Sequence, residues 1–366
     1  MRGKRILFVN GIRHDQMSGG NTSTTNIISS LSKICNLNQV ALGPHANGMK
    51  LAPYLFFSFP AILLVQLNRI TRIIWLEFFT RASPFLWLFI AWKYLRLKPS
   101  VVIFNHHSTF IYSFLFRPLK KVYIWHDLPS TKVVKGELKA KRNSTRKCVF
   151  IEWMFTRNPG NKHFVFSFSD QKVMKRLHKS DAAIIPVFIS KPAVLPRRII
   201  PGSWLLLGNW ERTENSRGAE IFFLEYYKFL AKGAKAKATF HVIGFGADVF
   251  IHKLLLKHHK LNKLNIKVTP QYENLNDFRG YSLLAPILDG AGIKVKTLEA
   301  WSFGLPVIGT KQAFSGLPKN IWIKGGLMAK SLKDMAHLCI QCEISTLQLT
   351  NLNPNKAFDT YENAVK

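Results

Sequence analysis

The chain has 366 residues, enough for two domains that each bury a core, and 47% of them are hydrophobic with no low-complexity tract and no repeat of solenoid length, which excludes a disordered or a solenoid protein. Lysine and arginine total 52 against 20 acidic residues, a net charge of +32, and residues 1–200 alone carry 31 basic and 7 acidic side chains. Such a surplus requires an anionic partner for the amino-terminal half, either nucleic acid or an acidic membrane surface.

Arg5–Val9 reads as a short buried strand. Its apolar run is too short for a signal peptide, so the sequence predicts a chain that stays in the cytoplasm. A loop containing Ser18-Gly19-Gly20 follows, and Asn21–Thr25, rich in helix-capping types, precedes a helix carrying Ile27, Ile28, Leu31 and Ile34. Between Leu51 and Lys98 large aromatic residues alternate with isolated arginines and lysines, the mixture of segments that rest in a headgroup zone with rings inward and charges outward. Trp75, Phe78, Phe79 and Trp87 are the expected membrane contacts. Leu51–Leu67 contains Pro53 and Pro60, and the stretch Trp75–Trp92 contains Glu77 and Arg81, so neither suits a spanning helix and the attachment predicted is peripheral, on the cytoplasmic face. No helix-turn-helix, zinc-finger or RNA-recognition signature accompanies the charge, so no nucleic acid partner is expected.

Val101–Phe104 leading to Asn105-His106-His107, and Val122–Trp125 leading to His126-Asp127, read as parallel strands ending in polar residues, where open α/β sheets bind ligands. Phe164-Val165-Phe166, leading into Ser167 and Ser169, and Ala182–Val187 supply further strands. Three prolines, Pro192, Pro196 and Pro201, stiffen the segment 191–201, which reads as a linker. The pattern then restarts. Trp204–Leu207 is a strand with a glycine exit and a polar loop holding Arg212 and Arg217; Thr239–Ile243 runs into Gly244-Phe245-Gly246; Ile266–Val268 and Leu283–Ile287 follow. Four cysteines, including the pair Cys339 and Cys342, suit reduced thiols.

The strand at Leu283–Ile287 delivers Asp289-Gly290-Ala291-Gly292-Ile293-Lys294-Val295-Lys296-Thr297-Leu298-Glu299-Ala300, closed by Phe303-Gly304-Leu305-Pro306-Val307-Ile308. Glycines let the backbone approach a ligand, amides at the start of the following helix stabilise phosphate, and Lys294 and Lys296 add positive charge. Glu299, one turn into the helix, repels phosphate but can accept from the two hydroxyls of a ribose.

This stretch resembles the donor-binding signature of GT-B glycosyltransferases, in particular the retaining family 4 enzymes. In the usual version two glutamates stand eight positions apart, whereas Ala291 occupies the first place here and Asp289 is the nearest acid. The resemblance implies an α/β, GT-B architecture of two Rossmann-like domains facing across a cleft: residues 1–190 for the acceptor and membrane, 191–201 as linker, 202–340 for the nucleotide-sugar, and a tail, 341–366, of the kind that in such enzymes often returns to the first domain. It further implies that Gly19, Gly20, Arg212, Arg217, Gly292, Lys294 and Lys296 border the donor diphosphate, with Arg217 standing where a lysine is usual. Glu299, Asp289 and Gly290 are expected at ribose and sugar, Gly244 and Gly246 near the nucleobase, and His126 with Asp127 as the catalytic pair that faces the donor sugar.

The reaction implied is transfer of a sugar from a nucleotide-diphosphate sugar to a membrane-associated acceptor, a lipid-linked glycan of a bacterial envelope, with retention of configuration. No Asp-x-Asp occurs in the chain, so no metal or other cofactor is expected and cations with amides take the leaving diphosphate. A sugar-nucleotide epimerase of the same fold, and a non-catalytic basic module for anionic lipid or nucleic acid, remain as alternatives at this stage.

Overall fold

Ile6-Leu7-Phe8-Val9 is apolar without alternation, the pattern of a strand covered on both faces, and it forms the inner part of β1 (Arg5–Asn10), where Leu7, Phe8 and Val9 are fully buried. The computed structural model describes residues 4–11, 19–41, 63–64, 66–67, 79, 82–116, 120–134, 142–187, 189, 198–233, 238–272, 275–290, 292–344 and 347–365. The chain divides into two units, Met1–Phe188 and Ile189–Lys366.

In the first unit β1 is followed by α1 (Gly19–Ser32), β2 (Asn36–Ala41), α2 (Pro84–Leu97), β3 (Val101–Asn105), a 3-10 segment (His107–Leu115), β4 (Lys121–Trp125), α3 (Pro129–Val134), α4 (Arg142–Thr156), β5 (Lys162–Val165), α5 (Phe168–His178) and β6 (Ala182–Ile184). The strands make one parallel sheet in the order β2-β1-β3-β4-β5-β6, with Val9 opposite Phe104 and Phe104 opposite Tyr123. The chain runs outward from β1 to β2 and then returns to β3 on the other side, which puts a topological switch between the ends of β1 and β3. Phe110 anchors the core under this sheet, its ring edge-on to Tyr123 at 4.8 Å, Trp125 at 4.5 Å and Phe155 at 5.5 Å.

The second unit repeats the plan with β7 (Ser203–Leu207), α6 (Thr213–Ala231), β8 (Thr239–Ile243), α7 (Ala247–Lys257), β9 (Asn265–Thr269), β10 (Ser282–Ala285), α8 (Val295–Ser302), β11 (Val307–Thr310), α9 (Lys319–Gly325), β12 (Gly326–Ala329), α10 (Leu332–Ile344), α11 (Leu347–Thr350) and α12 (Pro354–Val365). Its parallel order is β12-β11-β10-β7-β8-β9, so the switch falls between β7 and β10. Phe223 and Tyr226 of α6 stand edge-on to Phe240 of β8 at 5.3 and 4.9 Å. The final helix α12 buries Ala357, Phe358 and Tyr361 and packs on α8 and α9 within this unit.

β2 is not signalled by an apolar run, and β12 is only the four residues Gly326-Leu327-Met328-Ala329. Both are sheet edges, where Asn36-Leu37-Asn38-Gln39 can keep polar side chains in water. The double glycine Gly19-Gly20, expected as a loop, forms the first two residues of α1.

Candidate functional site

The second unit gathers its charged side chains at the switch between β7 and β10. The loop after β10 reverses at Gly290 and Gly292, whose φ values of 112° and 72° lie in the left-handed region that side-chain-bearing residues resist. This turn aims the chain into α8. Lys294 is the N-cap residue of that helix, and the first-turn amides of an α-helix have no carbonyl partner four residues back. Lys296 extends toward β7, where its Nζ donates to Oδ1 of Asn215 at 2.8 Å, and Asn215 in turn donates through Nδ2 to the carbonyl of Asn209 at 2.7 Å. Asn215 therefore ties the first turn of α6 to the loop after β7 and to the glycine-lysine segment.

Burial, with Lys294 and Arg212 as cationic neighbours, pushes the Lys296 ammonium down to about 7, while Glu299 pulls it back. A site that strains a cation in this way gains by admitting an anion. Leu207, Asn215, Pro286 and Lys296 line a recess beside it. Arg212 is the N-cap residue of α6 and Arg217 sits in that helix's opening turns; both side chains are exposed.

Glu299 lies within α8 and shares a side-chain hydrogen bond with Tyr272, just past β9. Burial raises the carboxyl to about 7, against the lowering effects of the Tyr272 bond and of Lys296. Burial and the same carboxylate raise the Tyr272 phenol. Asp289, by contrast, is exposed in the loop and makes no side-chain hydrogen bond among the described residues. Ala291 lies outside the described residues.

Gly244 and Gly246 follow β8, both with positive φ. A Cβ on Gly244 would overlap the carbonyl of Gly208, so the exits of β7 and β8 touch through glycine, and Gly246 is the N-cap residue of α7.

In the first unit, polar side chains meet where the switch lies. Asn105 at the end of β3 is fully buried and donates through Nδ2 to Oδ1 of Asn10 at 2.9 Å, at the end of β1, and to Oγ1 of Thr24 in α1 at 3.0 Å. Its remaining oxygen lies 2.8 Å from Nε2 of His126, beyond β4. With both amide hydrogens committed, the network assigns the imidazole proton to Nε2. Burial, reinforced by nearby His107, lowers the His126 imidazole to about 3, so it is neutral at physiological pH. The ring also packs on Phe166 at 4.8 Å. Asp127, expected to pair with His126, is half-buried and makes no side-chain hydrogen bond among the described residues; Asn105 is the partner of the ring.

His106 holds φ at 80°, its Nδ1 is 2.8 Å from Oγ of Ser108, and its ring lies 4.1 Å from that of His107. Behind His126, α3 is anchored by Glu152, whose carboxylate accepts from the Ser130 amide at 2.8 Å and faces Nε2 of His178 at 2.7 Å. Both side chains of the Glu152–His178 pair are fully buried.

Among the expected membrane contacts, Trp75 and Phe78 lie outside the described residues, Phe79 is partly buried against the first core, and Trp87 on α2 is exposed. Among the described residues no helix is long and apolar enough to cross a membrane, and no three His, Cys, Asp or Glu side chains gather as metal ligands. Gly19 and Gly20 start α1, which also carries Thr24 of the buried network.

Asn105 joins the cluster of the first unit, and Asn215 and Tyr272 that of the second, without a sequence signal of their own. A polar residue at a strand end marks Asn105 only as one of three adjacent candidates. Asn215 and Tyr272 act by contacts across 81 and 27 positions, which no local pattern encodes.

No protein-family model matches the chain, and no curated protein matches it. Solved structures do. A sucrose-phosphate synthase from Thermosynechococcus elongatus superposes with a TM-score of 0.65 at 11% identity, over 98% of this chain and 94% of that one. The Anabaena protein HepE, in complex with UDP and glucose, gives 0.62 at 11% identity over 98% and 95%. An E. coli trehalose-6-phosphate protein bound with UDP-2-fluoro glucose gives 0.59 at 10% identity over 98% and 96%. At such identities the likeness establishes the fold: the chain has the α/β, GT-B architecture of these glycosyltransferases.

Proposed function

We propose that this chain is a glycosyltransferase that moves a sugar from a nucleotide-diphosphate sugar to a membrane-associated, lipid-linked glycan. The observation that carries the reading is the convergence of Lys294, Lys296 and the α8 amino terminus on one strand-end turn, with Arg212 close enough to depress Lys296 and Glu299 one turn further on. Fixed positive charge at a diphosphate favours the transition state, in which the leaving group gains negative charge and the sugar becomes oxocarbenium-like. Arg217 adds a second guanidinium from α6. Glu299, held by Tyr272, receives the ribose hydroxyls; Asp289 and Gly290 lie toward the sugar, and Gly244 and Gly246 toward the base.

Because these cations supply the charge a divalent ion would otherwise bring, the transfer is metal-independent in this reading. Neutral His126, with Asp127 beside it, is the first unit's catalytic contribution: a hydrogen-bonding group and not a cation. Configuration is retained, and the basic first unit works at the cytoplasmic face of an anionic membrane, which supplies the acceptor.

HepE is seen with UDP and with UDP-glucose, so UDP-sugars are the first donors to test. Purified protein titrated with a panel of nucleotide-sugars should show saturable binding to at least one, with slow release of the nucleoside diphosphate in water and faster release when lipid-linked glycan is added. Absence of binding across UDP-, GDP-, ADP- and dTDP-sugars would refute the donor site. Binding with no acceptor-dependent release would refute the transfer.

A further inference from the structure

The first unit carries a second aromatic and basic stripe, on a helix remote in sequence from residues 51–98. In α4 the inner face, Cys148, Ile151 and Phe155, is buried in the core. The outward face shows Arg146, Phe150, Trp153 and Arg157, spaced four, three and four residues apart and therefore aligned on one side. Phe150 and Trp153 are 58% and 42% exposed, stack on one another at 5.8 Å, and the Arg157 guanidinium lies 5.1 Å above the Trp153 ring. The helix has one acid, Glu152, and it points inward to His178.

The stripe on α2 has the same make-up. Leu88, Trp92 and Leu95 are 69%, 49% and 69% exposed, Lys93 and Arg96 lie over the Trp92 ring, and the helix contains no acid. The two helices flank one element. Tyr94 of α2 packs on Phe116 at 4.7 Å, at the end of the 3-10 segment, and Phe155 of α4 packs on Phe110 and Phe114 of that segment, each at 5.5 Å. Leu86 and Ile90 of α2 and Ile151 and Phe155 of α4 lie in one buried cluster with Val9, Phe104, Tyr123 and Val165 of the strands, so both helices cover the same sheet face. Their outer stripes therefore point away from the sheet on one side.

We propose that α4 is a second membrane-contacting helix, and that Phe150, Trp153, Arg146 and Arg157 join Leu88, Trp92, Leu95 and Arg96 of α2 in a two-helix surface for an anionic bilayer. Exposed apolar rings capped by guanidinium groups suit the boundary between headgroups and acyl chains, where the ring is buried and the charge meets lipid phosphate. Charge complementarity selects the bilayer: neither outer stripe contains an acid, and residues 1–200 carry 31 basic against 7 acidic side chains. The inference rests on the membrane-acceptor reading and extends it from one helix to a plane.

The test is co-sedimentation of the full chain with phosphatidylcholine vesicles with and without phosphatidylglycerol. Phe150→Ser/Trp153→Ser and, separately, Leu88→Ser/Trp92→Ser should each weaken partitioning into the anionic vesicles by at least about tenfold, because each removes buried ring or aliphatic area. Arg146→Gln/Arg157→Gln should weaken it at low salt and little at high salt. Should the α4 pair fail to fold, a fluorophore on Phe150→Cys in a Cys35→Ser background should be quenched by brominated lipid. Wild-type partitioning by the α4 pair, or an unquenched probe, overturns the proposal, as does a wild-type dimer in sedimentation velocity that the α4 pair dissolves. Nucleotide-sugar binding measured on the same preparations is independent of these outcomes, so a failed donor site is told apart from a failed membrane surface.

Discussion

The carboxamide oxygen of Asn105 lies 2.8 Å from Nε2 of His126, while the amide nitrogen of the same residue is spent on Asn10 and Thr24. One buried side chain thus joins the ends of β1, β3 and β4 to α1 and fixes the tautomer of the candidate catalytic imidazole. Asn105→Ala should destabilise the first unit by about 1–3 kcal/mol, since it strands buried polar partners. It should also lower kcat more than it raises KM, because His126 survives but loses its orientation. Unchanged kcat in a stable variant would remove His126 from the reaction.

Glu299 should bind the donor ribose through charge-assisted hydrogen bonds, and Glu299→Gln should cost roughly 1.5–3 kcal/mol of nucleoside diphosphate affinity. Tyr272 separates this role from plain packing. Its hydrogen bond lowers a carboxyl that burial holds at about 7, so Tyr272→Phe should push Glu299 higher still and move the rising limb of the binding–pH curve to more alkaline pH. Calorimetric titration with UDP across pH 5–8 reads the shift, and an unmoved limb would show that the phenol does not act through Glu299.

Apolar runs announce the inner strands because a strand covered on both faces has no alternation to obscure it, and the glycine-lysine segment announces the turn into α8 because Gly290 and Gly292 permit the left-handed backbone it needs. The edge β2 stays hidden because its polar side chains cost nothing in water, and β12 because its four residues, Gly326–Ala329, are too short a run to stand out. Site partners stay hidden for another reason. Asn215 reaches Lys296 only after α6 and α8 have packed on one sheet, and the pairing of His126 with Asn105 in place of adjacent Asp127 follows from strand order, which is set by the whole unit. The stripe on α4 emerges only from the structure, because its outward direction follows from the burial of Ile151 and Phe155.

Lys296 should give nucleotide binding an alkaline limb. Burial lowers its ammonium to about 7, and a bound diphosphate would stabilise the protonated form, so binding would take up a proton above that pH. UDP affinity should therefore fall as pH rises from about 7 to 8.5. Lys296→Arg, charged throughout, should lose this fall and keep only the rise that Glu299 gives near pH 7. An alkaline limb that persists in the arginine variant would assign it to another group.

Transfer should persist in excess EDTA if Arg212, Arg217, Lys294, Lys296 and the α8 amides supply the positive charge for the leaving diphosphate, as proposed. Removing two of these cations, as in Arg212→Ala/Lys294→Ala, should then cost far more than chelation does. Activity abolished by EDTA and restored by Mn²⁺ or Mg²⁺ would replace this account of the leaving group with a metal-assisted one.

Buried histidines make the fold sensitive to mild acid. Burial lowers His126 to about 3 and His163, with help from His178, to about 4, whereas both titrate near 6.5 in the unfolded chain. Between about pH 6.5 and 5 the unfolded state binds the extra protons, so these two residues make stability rise with pH and fall on acidification. Glu299 works against them in that window, because its raised carboxyl binds a proton in the folded state first. The contribution of one histidine is isolated by His163→Gln, which retains an acceptor for the Trp125 indole that now donates to Nδ1 at 3.4 Å. Urea unfolding of wild type and variant at pH 6.5, 5.75 and 5 should show the variant losing less stability per unit of pH. Equal slopes would mean that His163 takes up its proton in the folded protein, and that the Trp125 bond does not hold the neutral imidazole in place.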